Sequence, residues 1–420
     1  MSDELKSGWV APPRPEWVQR INEEGRCMDI LGVVPLDENS LLSVAKANTG
    51  LSDFGDDDWV EPFNVLIRAL DEESKLTLMG RLMTRSDLLL LLEARLRIED
   101  IYRRHPEIND EQIKDPLFII GQGRTGTSVL QSMLSADPRN GTITSWEAMF
   151  PCPPPEKATY NTDPRIDKAD KLITQWHRVV PELISMHEFR GHMQTENPHI
   201  HCLSFRSPAW FSLLFGQVPS YMAYMAAQEN SLSYVYEKRV LKLLQWKNPR
   251  RHWVLKSPYL LMQLREILKV YPDAKFIWTH RDPVKAFASA VDLVGALFHI
   301  KTDHPFIGGS LAMFTDVAPN AAMMNLGVDL LEDGTIPKEQ MCNIQYPDFV
   351  ANPIGSIEQI YRQFNIVMTT DARAAMQKFM DDNPRSSRPK HEYDVGSNEA
   401  VSTNRALFKR YQDYFSVLNE

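Results

Sequence analysis

The stretch Gly121-Gln122-Gly123-Arg124-Thr125-Gly126-Thr127-Ser128 sets Gly121 and Gly126 at the G-x-x-x-x-G spacing of a phosphate-cradling loop. The residue after the second glycine is Thr127, where a triphosphate loop needs the lysine that reaches the β- and γ-phosphates. The nearby cation is Arg124, inside the loop. A guanidinium beside backbone donors can fork onto one phosphate and a neighbouring anionic group, so the spacing suits a ligand with a single 5′-phosphate carrying a transferable group. Thr125, Thr127 and Ser128 add hydroxyl donors at the start of the next element. A plain glycine turn between strand and helix is the competing reading. A second signal is THRDPVKAFAS, where Arg281 directly follows an apolar run and Ser289 lies eight residues on. Both can meet one phosphate, by a charge-assisted fork and a hydroxyl. A strand-end arginine otherwise serves as a salt-bridge or capping residue.

These residues need a scaffold that brings them together. From Pro116, PLFII reads as a buried strand entering the glycine loop, and TSVLQSMLSA as a helix that stops at Asp137-Pro138. Strand, loop and helix N-terminus together present backbone N–H groups to an anion. HWVLK reads as a strand, YLLMQLREILKVY as an amphipathic helix and KFIWTH as another strand, followed by the turn RDP and a helix over VKAFASAVDLV. A strand–helix–strand unit implies a parallel pair with a right-handed crossover. NIQY is a weaker fourth strand. Residues 1–115 read as a separate helical layer for packing or homo-oligomer contacts, and residues 116–420 as the domain carrying the chemistry. The expected fold is α/β: a P-loop-like parallel sheet flanked by helices, with an N-terminal helical extension.

The two motifs carry a resemblance. GQGRTGTS resembles the 5′-phosphosulfate loop, and THRDPVKAFAS the 3′-phosphate motif, of sulfotransferases that use 3′-phosphoadenosine 5′-phosphosulfate. WVLKSPYLLMQL, YPDAKFIWTHRDP, IQYPDFVANP and KHEYDVG follow in the order of a bacterial branch of that family, over roughly residues 116–395. The resemblance implies that Gly123, Arg124, Thr125, Gly126, Thr127 and Ser128 hold the 5′-phosphosulfate, and that Arg281 and Ser289 hold the 3′-phosphate. It places Tyr346 against the adenine and Arg388, Lys390 and His391 in a segment closing over the nucleotide. The chain departs from the usual loop at Gln122-Gly123. The implied product is adenosine 3′,5′-bisphosphate, and no metal is expected, since Arg124 and Lys256 supply the charge.

Sulfonyl transfer to an alcohol needs a base at the acceptor hydroxyl and positive charge on the sulfonate and bridging oxygen. The resemblance gives the second role to Lys256 in VLKSP. Pro258 stands where related enzymes carry a catalytic histidine, so Glu147 in TSWEAMF is the expected base, by analogy with other branches. Its rival is ENPHIHC, where alternation puts His199 and His201 on one face. With Cys202 these histidines suggest metal only weakly, because no second ligand pair accompanies them. The reading left for them is that one lines the acceptor pocket.

That pocket is expected from residues 190–250 and from the helical region 290–335. Phe205, Trp210, Phe211, Phe215, Tyr221 and Tyr224 would make an aromatic wall for a small hydrophobic alcohol (a lipid, sterol, polyketide or aryl alcohol), unless they are ordinary core. Two other classes compete: a P-loop phosphotransferase, against which Thr127 argues, and a nucleotide-binding protein that keeps the fold without turnover.

Composition sets the outer limits. The 420 residues carry a net charge of -9, with 43% hydrophobic content, so nucleic acid and anionic membrane are not expected partners. Cys27, Cys152, Cys202 and Cys342 lack C-x-x-C spacing and are expected to be reduced. MSDELKSGWV has no signal-peptide pattern, and no run approaches the ~20 apolar residues of a membrane span. A cytoplasmic protein is the expectation.

Overall fold

In a computed structural model, which describes residues 10–304, 306, 311–384 and 397–420, five strands form one parallel sheet. They are β1 (Leu117–Ile120), β2 (Asn140–Thr142), β3 (His252–Lys256), β4 (Lys275–His280) and β5 (Met341–Gln345), in the order β2-β3-β1-β4-β5. β1 and β3 are buried along their whole length, as a parallel sheet covered on both faces demands. The register aligns Ile119 with Lys256 and Ile120 with Trp278. Because β1 connects outward over β3 while the chain later returns past β1 to β4, the strand order reverses at β1. The crevice outside the carboxyl ends of the strands at such a switch point is where open α/β sheets bind ligands. The loop after β1, Lys256 ending β3, Arg281 following β4 and Tyr346 following β5 all lie along that edge.

The helices used below are α1 (Glu16–Gly25), α2 (Glu38–Thr49), α3 (Val60–Glu72), α4 (Leu78–Arg104), α5 (Thr127–Ala136), α6 (Ser145–Met149), α7 (Pro198–His201), α8 (Ser231–Trp246), α9 (Leu264–Val270), α10 (Pro283–His299), α11 (Val317–Glu332) and α12 (Asn398–Phe415). The expected strands PLFII, HWVLK, KFIWTH and NIQY fall in β1, β3, β4 and β5. Edge strand β2, Asn140-Gly141-Thr142, has no apolar run to announce it and exists through its pairing with β3. The helix expected over YLLMQLREILKVY is divided: a 3-10 turn spans Pro258–Met262, and α9 starts at Leu264. Ser257 Oγ accepts from the Tyr259 amide, and Gln263 leaves helical geometry at φ -127°.

Helices α1 to α4 form the N-terminal layer. Its apolar side chains share one continuous core with the rest of the chain, from Val18 through Phe63 and Phe205 to Phe415. Polar ties reinforce the junction. Thr84 Oγ1 donates to the Phe215 carbonyl at 2.9 Å, Arg95 Nη1 to that of Leu203 at 3.1 Å, and Arg239 forks onto Glu99 at 2.9 and 2.7 Å. Among the described residues no helix is long and apolar enough to cross a membrane.

Candidate active site

The loop between β1 and α5 is shaped by backbone conformations that its residue types permit or must be forced into. Gly126 has φ +86° and lies against the Tyr346 ring, where an added Cβ would come within 3.2 Å of it. Arg124 takes φ +70°, a left-handed conformation that costs a non-glycine residue and persists only when its surroundings hold it. Contacts with other described residues hold it. Its Nε donates to Ser289 Oγ at 3.0 Å, its Nη1 donates to the Met186 carbonyl at 2.9 Å, and its own carbonyl accepts from Arg281 Nη1 at 3.1 Å. The two sequence motifs, 165 residues apart between Arg124 and Ser289, thus interlock.

Gln122 explains the departure from the usual loop sequence. Its side-chain amide donates to the Pro283 carbonyl at 3.0 Å and to Asn320 Oδ1 at 2.8 Å, fastening the loop to α10 and α11. Thr125 differs from expectation in its side chain. The hydroxyl is buried between the Gln122 carbonyl at 2.7 Å and Thr279 Oγ1 at 2.6 Å, so it braces the loop against β4 and does not point to a ligand. Ser128 stands elsewhere, 3.4 Å from Lys256 Nζ. Gly123 sits in the open part of the loop, with no atom nearer than 3.9 Å to where a Cβ would project.

Lys256 is brought to the loop by the β1–β3 pairing, and its ammonium is almost fully buried. It donates to Glu196 Oε1 at 2.9 Å, while Ser257 Oγ donates to Glu196 Oε2 at 2.8 Å. The glutamate keeps 24% of its side chain exposed, so it is both fixed and accessible. Asn197 behind it is anchored through its amide to the Lys256 carbonyl and through Nδ2 to Glu237 at 2.8 Å. Glu196 was missed in the sequence, although it opens the ENPHIHC cluster. In that cluster the two histidines carry the stronger acid–base signal.

Glu147 is in a different situation from the one expected. It is 0% exposed at the third position of α6, where its Oε2 closes a capping box with the Thr144 amide at 3.1 Å and hydroxyl at 2.9 Å. Its other oxygen pairs with Arg250, itself buried. Both oxygens are therefore engaged in holding the β2–α6 corner, and neither reaches the Lys256 crevice through any of these bonds. His201 is likewise 2% exposed and bonds Glu237 at 2.8 Å in a buried cluster with Asn197 and Tyr271. His199 stacks on Trp210 at 5.0 Å and meets Thr195 Oγ1 at 3.2 Å; burial pushes its imidazole down to about 4.

The expected aromatic wall divides. Phe205 and Tyr221 are core: the Phe205 ring packs on Phe63 at 4.9 Å, and Tyr221 donates to the Phe205 carbonyl at 2.6 Å. Trp210 is also buried, in the same main core as Phe205 and Tyr221. Ala209, Val294, Phe298 and Leu311 make a separate small apolar cluster, flanked by half-buried Leu213, Met222, Tyr259, Met313 and Phe314. Tyr259 of this cluster follows Lys256 by three residues in the chain.

Electrostatically the crevice is positive. Burial, and then the charges of Lys256 and Arg124, push the His187 imidazole down to about 3, so it is neutral beside them. Arg281 lies over the Tyr346 ring at 4.4 Å and forks onto Glu420. Arg388, Lys390 and His391 lie outside the described residues. Among the described residues, no group of three or more metal-ligating side chains comes together. Arg124, Ser289, Arg281, Tyr346, Ser128 and Lys256 do come together along one sheet edge, an arrangement that can hold a doubly phosphorylated nucleotide-like anion.

The chain is similar to known proteins in sequence and fold. A family described as the sulfotransferase family matches residues 116–370. The omega-hydroxy-beta-dihydromenaquinone-9 sulfotransferases Stf3 of Mycobacterium bovis and Mycobacterium tuberculosis are 23% identical over 269 residues. That alignment covers 60% of this chain and 63% of each relative's own length. Among solved structures, sulfotransferase STF9 from Mycobacterium avium superposes with a TM-score of 0.76 at 25% identity, covering 92% of this chain and 98% of that one. Sulfotransferase STF1 from Mycobacterium tuberculosis superposes at 0.71 with 28% identity, covering 89% and 98%.

Proposed function

We propose that this chain, which belongs to the sulfotransferase family, is a transferase that moves the sulfonyl group of 3′-phosphoadenosine 5′-phosphosulfate onto the hydroxyl of a hydrophobic small molecule. The observation that carries this reading is the Glu196–Lys256–Ser128 constellation at the mouth of the β1–α5 loop. In this reading Glu196 is the base on the acceptor side, and Lys256, whose ammonium reaches both Glu196 and the loop residue Ser128, supplies charge on the leaving side.

In this reading the loop amides, Arg124, Thr127 and Ser128 hold the 5′-phosphosulfate. Arg281 and Ser289 hold the 3′-phosphate, and Tyr346 faces the adenine. The fit rests on the donor set: Arg281 already grips a carboxylate with both ends of its fork, and Gly126 leaves room beside Tyr346 that a side chain would fill. The acceptor oxygen forms its bond to sulfur as the bond from sulfur to the bridging oxygen breaks. The acceptor proton passes to Glu196, in place of Glu147, and Lys256 offsets the charge that grows on the departing phosphate. Adenosine 3′,5′-bisphosphate leaves. Magnesium supplies the corresponding charge in a triphosphate loop; here two side chains do so, and no metal is proposed.

The acceptor is proposed as a lipid, sterol, polyketide or aryl alcohol. The apolar surface of Leu213, Met222, Tyr259, Met313 and Phe314 supports that class. So does the named acceptor of the Stf3 relatives, an omega-hydroxylated dihydromenaquinone. The test is calorimetric titration with adenosine 3′,5′-bisphosphate and, separately, with magnesium–ATP, followed by transfer assays on a panel of hydrophobic alcohols and matched sugars. Bisphosphate binding at micromolar Kd or tighter, about -8 kcal/mol, is expected. Binding of magnesium–ATP alone would sink the reading in favour of a phosphotransferase.

A further inference from the structure

The fork of Arg281 is filled by Glu420. Nε donates to Oε1 and Nη2 to Oε2, each at 2.9 Å, the bidentate geometry in which a guanidinium holds carboxylate or phosphate. Both side chains are largely covered, at 17% and 26% exposure. The segment that delivers this carboxylate is fastened at several points. Helix α12 ends at Ser416 in a left-handed turn (φ +55°), and the Val417 amide returns to the Gln412 carbonyl at 2.9 Å. Phe415 and Val417 are buried in the core, and Gln412 Nε2 reaches Asn419 Oδ1 at 3.0 Å. The Glu420 amide donates to Asp282 Oδ2 at 2.9 Å, the same oxygen that accepts from Arg405 of α12 at 2.8 Å. Asp282 in turn caps α10 through Oδ1 and the Val284 amide.

We infer that Glu420 is an internal competitor for the 3′-phosphate of the nucleotide, and so a determinant of donor affinity and product release. The inference rests on the reading of Arg281 as the 3′-phosphate residue. A carboxylate brings one negative charge and two acceptor oxygens to the fork, whereas a phosphate monoester brings nearly two charges and three. The phosphate therefore displaces the carboxylate, but the nucleotide gains only the difference. Nucleotides without a 3′-phosphate have nothing to set against the Glu420 pair and leave it closed. After transfer, the bisphosphate has lost its sulfonate contacts and keeps those of its phosphates and adenine. Return of Glu420 to Arg281 then favours its departure.

The test is titration calorimetry of adenosine 3′,5′-bisphosphate and of adenosine 5′-monophosphate, on the unaltered chain and on Glu420→Gln, each with and without Arg281→Ala. Glu420→Gln should tighten bisphosphate binding by roughly three- to tenfold, the range of a partly exposed ion pair, and leave the monophosphate within about twofold. In the Arg281→Ala background Glu420→Gln should change nothing. Equal or weaker bisphosphate binding by Glu420→Gln overturns the competitor while leaving the donor site standing. Failure of the bisphosphate to bind either chain overturns the donor reading itself.

Discussion

The ammonium of Lys256 and the carboxylate of Glu196 lie 2.9 Å apart, and Ser257 fixes the second oxygen of that carboxylate. The pair is produced by the end of β3 and the second residue before α7, 60 positions apart, at the mouth of the phosphate loop. If Glu196 takes the acceptor proton, Glu196→Gln should lower kcat by about 10²- to 10⁴-fold. Bisphosphate affinity should not fall, and the thermal midpoint should drop less than in Glu147→Gln, because Glu196 keeps 24% of its side chain exposed. A Glu196→Gln enzyme with near-normal kcat would require another base.

Glu147→Gln should behave in the opposite way. A glutamine can still accept from the Thr144 amide, but the buried Arg250 is left without its counter-charge, a loss on the order of 3–5 kcal/mol when a buried pair is broken. The expected result is a marked fall in denaturation midpoint, with kcat per folded molecule kept within a few-fold. A kcat loss matching that of Glu196→Gln, at unchanged stability, would restore Glu147 as the base.

Arg281 and Ser289 act on the nucleotide through different chemistry. Arg281→Ala should weaken adenosine 3′,5′-bisphosphate by about 2 kcal/mol, near 30-fold, as loss of a charge-assisted hydrogen-bonding group does. Ser289→Ala removes one neutral hydroxyl and also one of the bonds on Arg124, so about 1 kcal/mol is expected. Calorimetry at two salt concentrations separates them, since the arginine contribution should shrink more with salt.

Buried histidines predict acid lability. Burial pushes both His280 and His299 down to about 4, against an unfolded value near 6.5. Because the folded values lie below the unfolded one, the unfolded chain takes up protons first as pH falls. Stability is then complete above about pH 6.5 and declines toward pH 4, by about 1.4 kcal/mol per pH unit for each histidine in that window. Thermal midpoints from pH 7.5 to 4.5 should show this slope. His280→Gln, whose Tyr411 and Asn343 partners tolerate an amide, should remove one histidine's share of that slope.

Much of this protein was legible in the chain itself. Short apolar runs ending in a glycine loop, in Lys256 and in Arg281 are local patterns, because a buried parallel strand must be apolar throughout and a phosphate loop must be glycine-rich. They gave β1, β3, β4 and the edge along which the site lies. What depended on tertiary structure was the role of each carboxylate. Glu147 and Glu196 are the same residue type, each near a turn and a short helix. One is closed off by Arg250 and a capping box, and the other is held open beside Lys256. Periodicity encodes which face of an element is buried but not which distant charge will meet it. So Glu147 with Arg250, Glu196 with Lys256 and Glu420 with Arg281 are pairings that only the folded sheet decides.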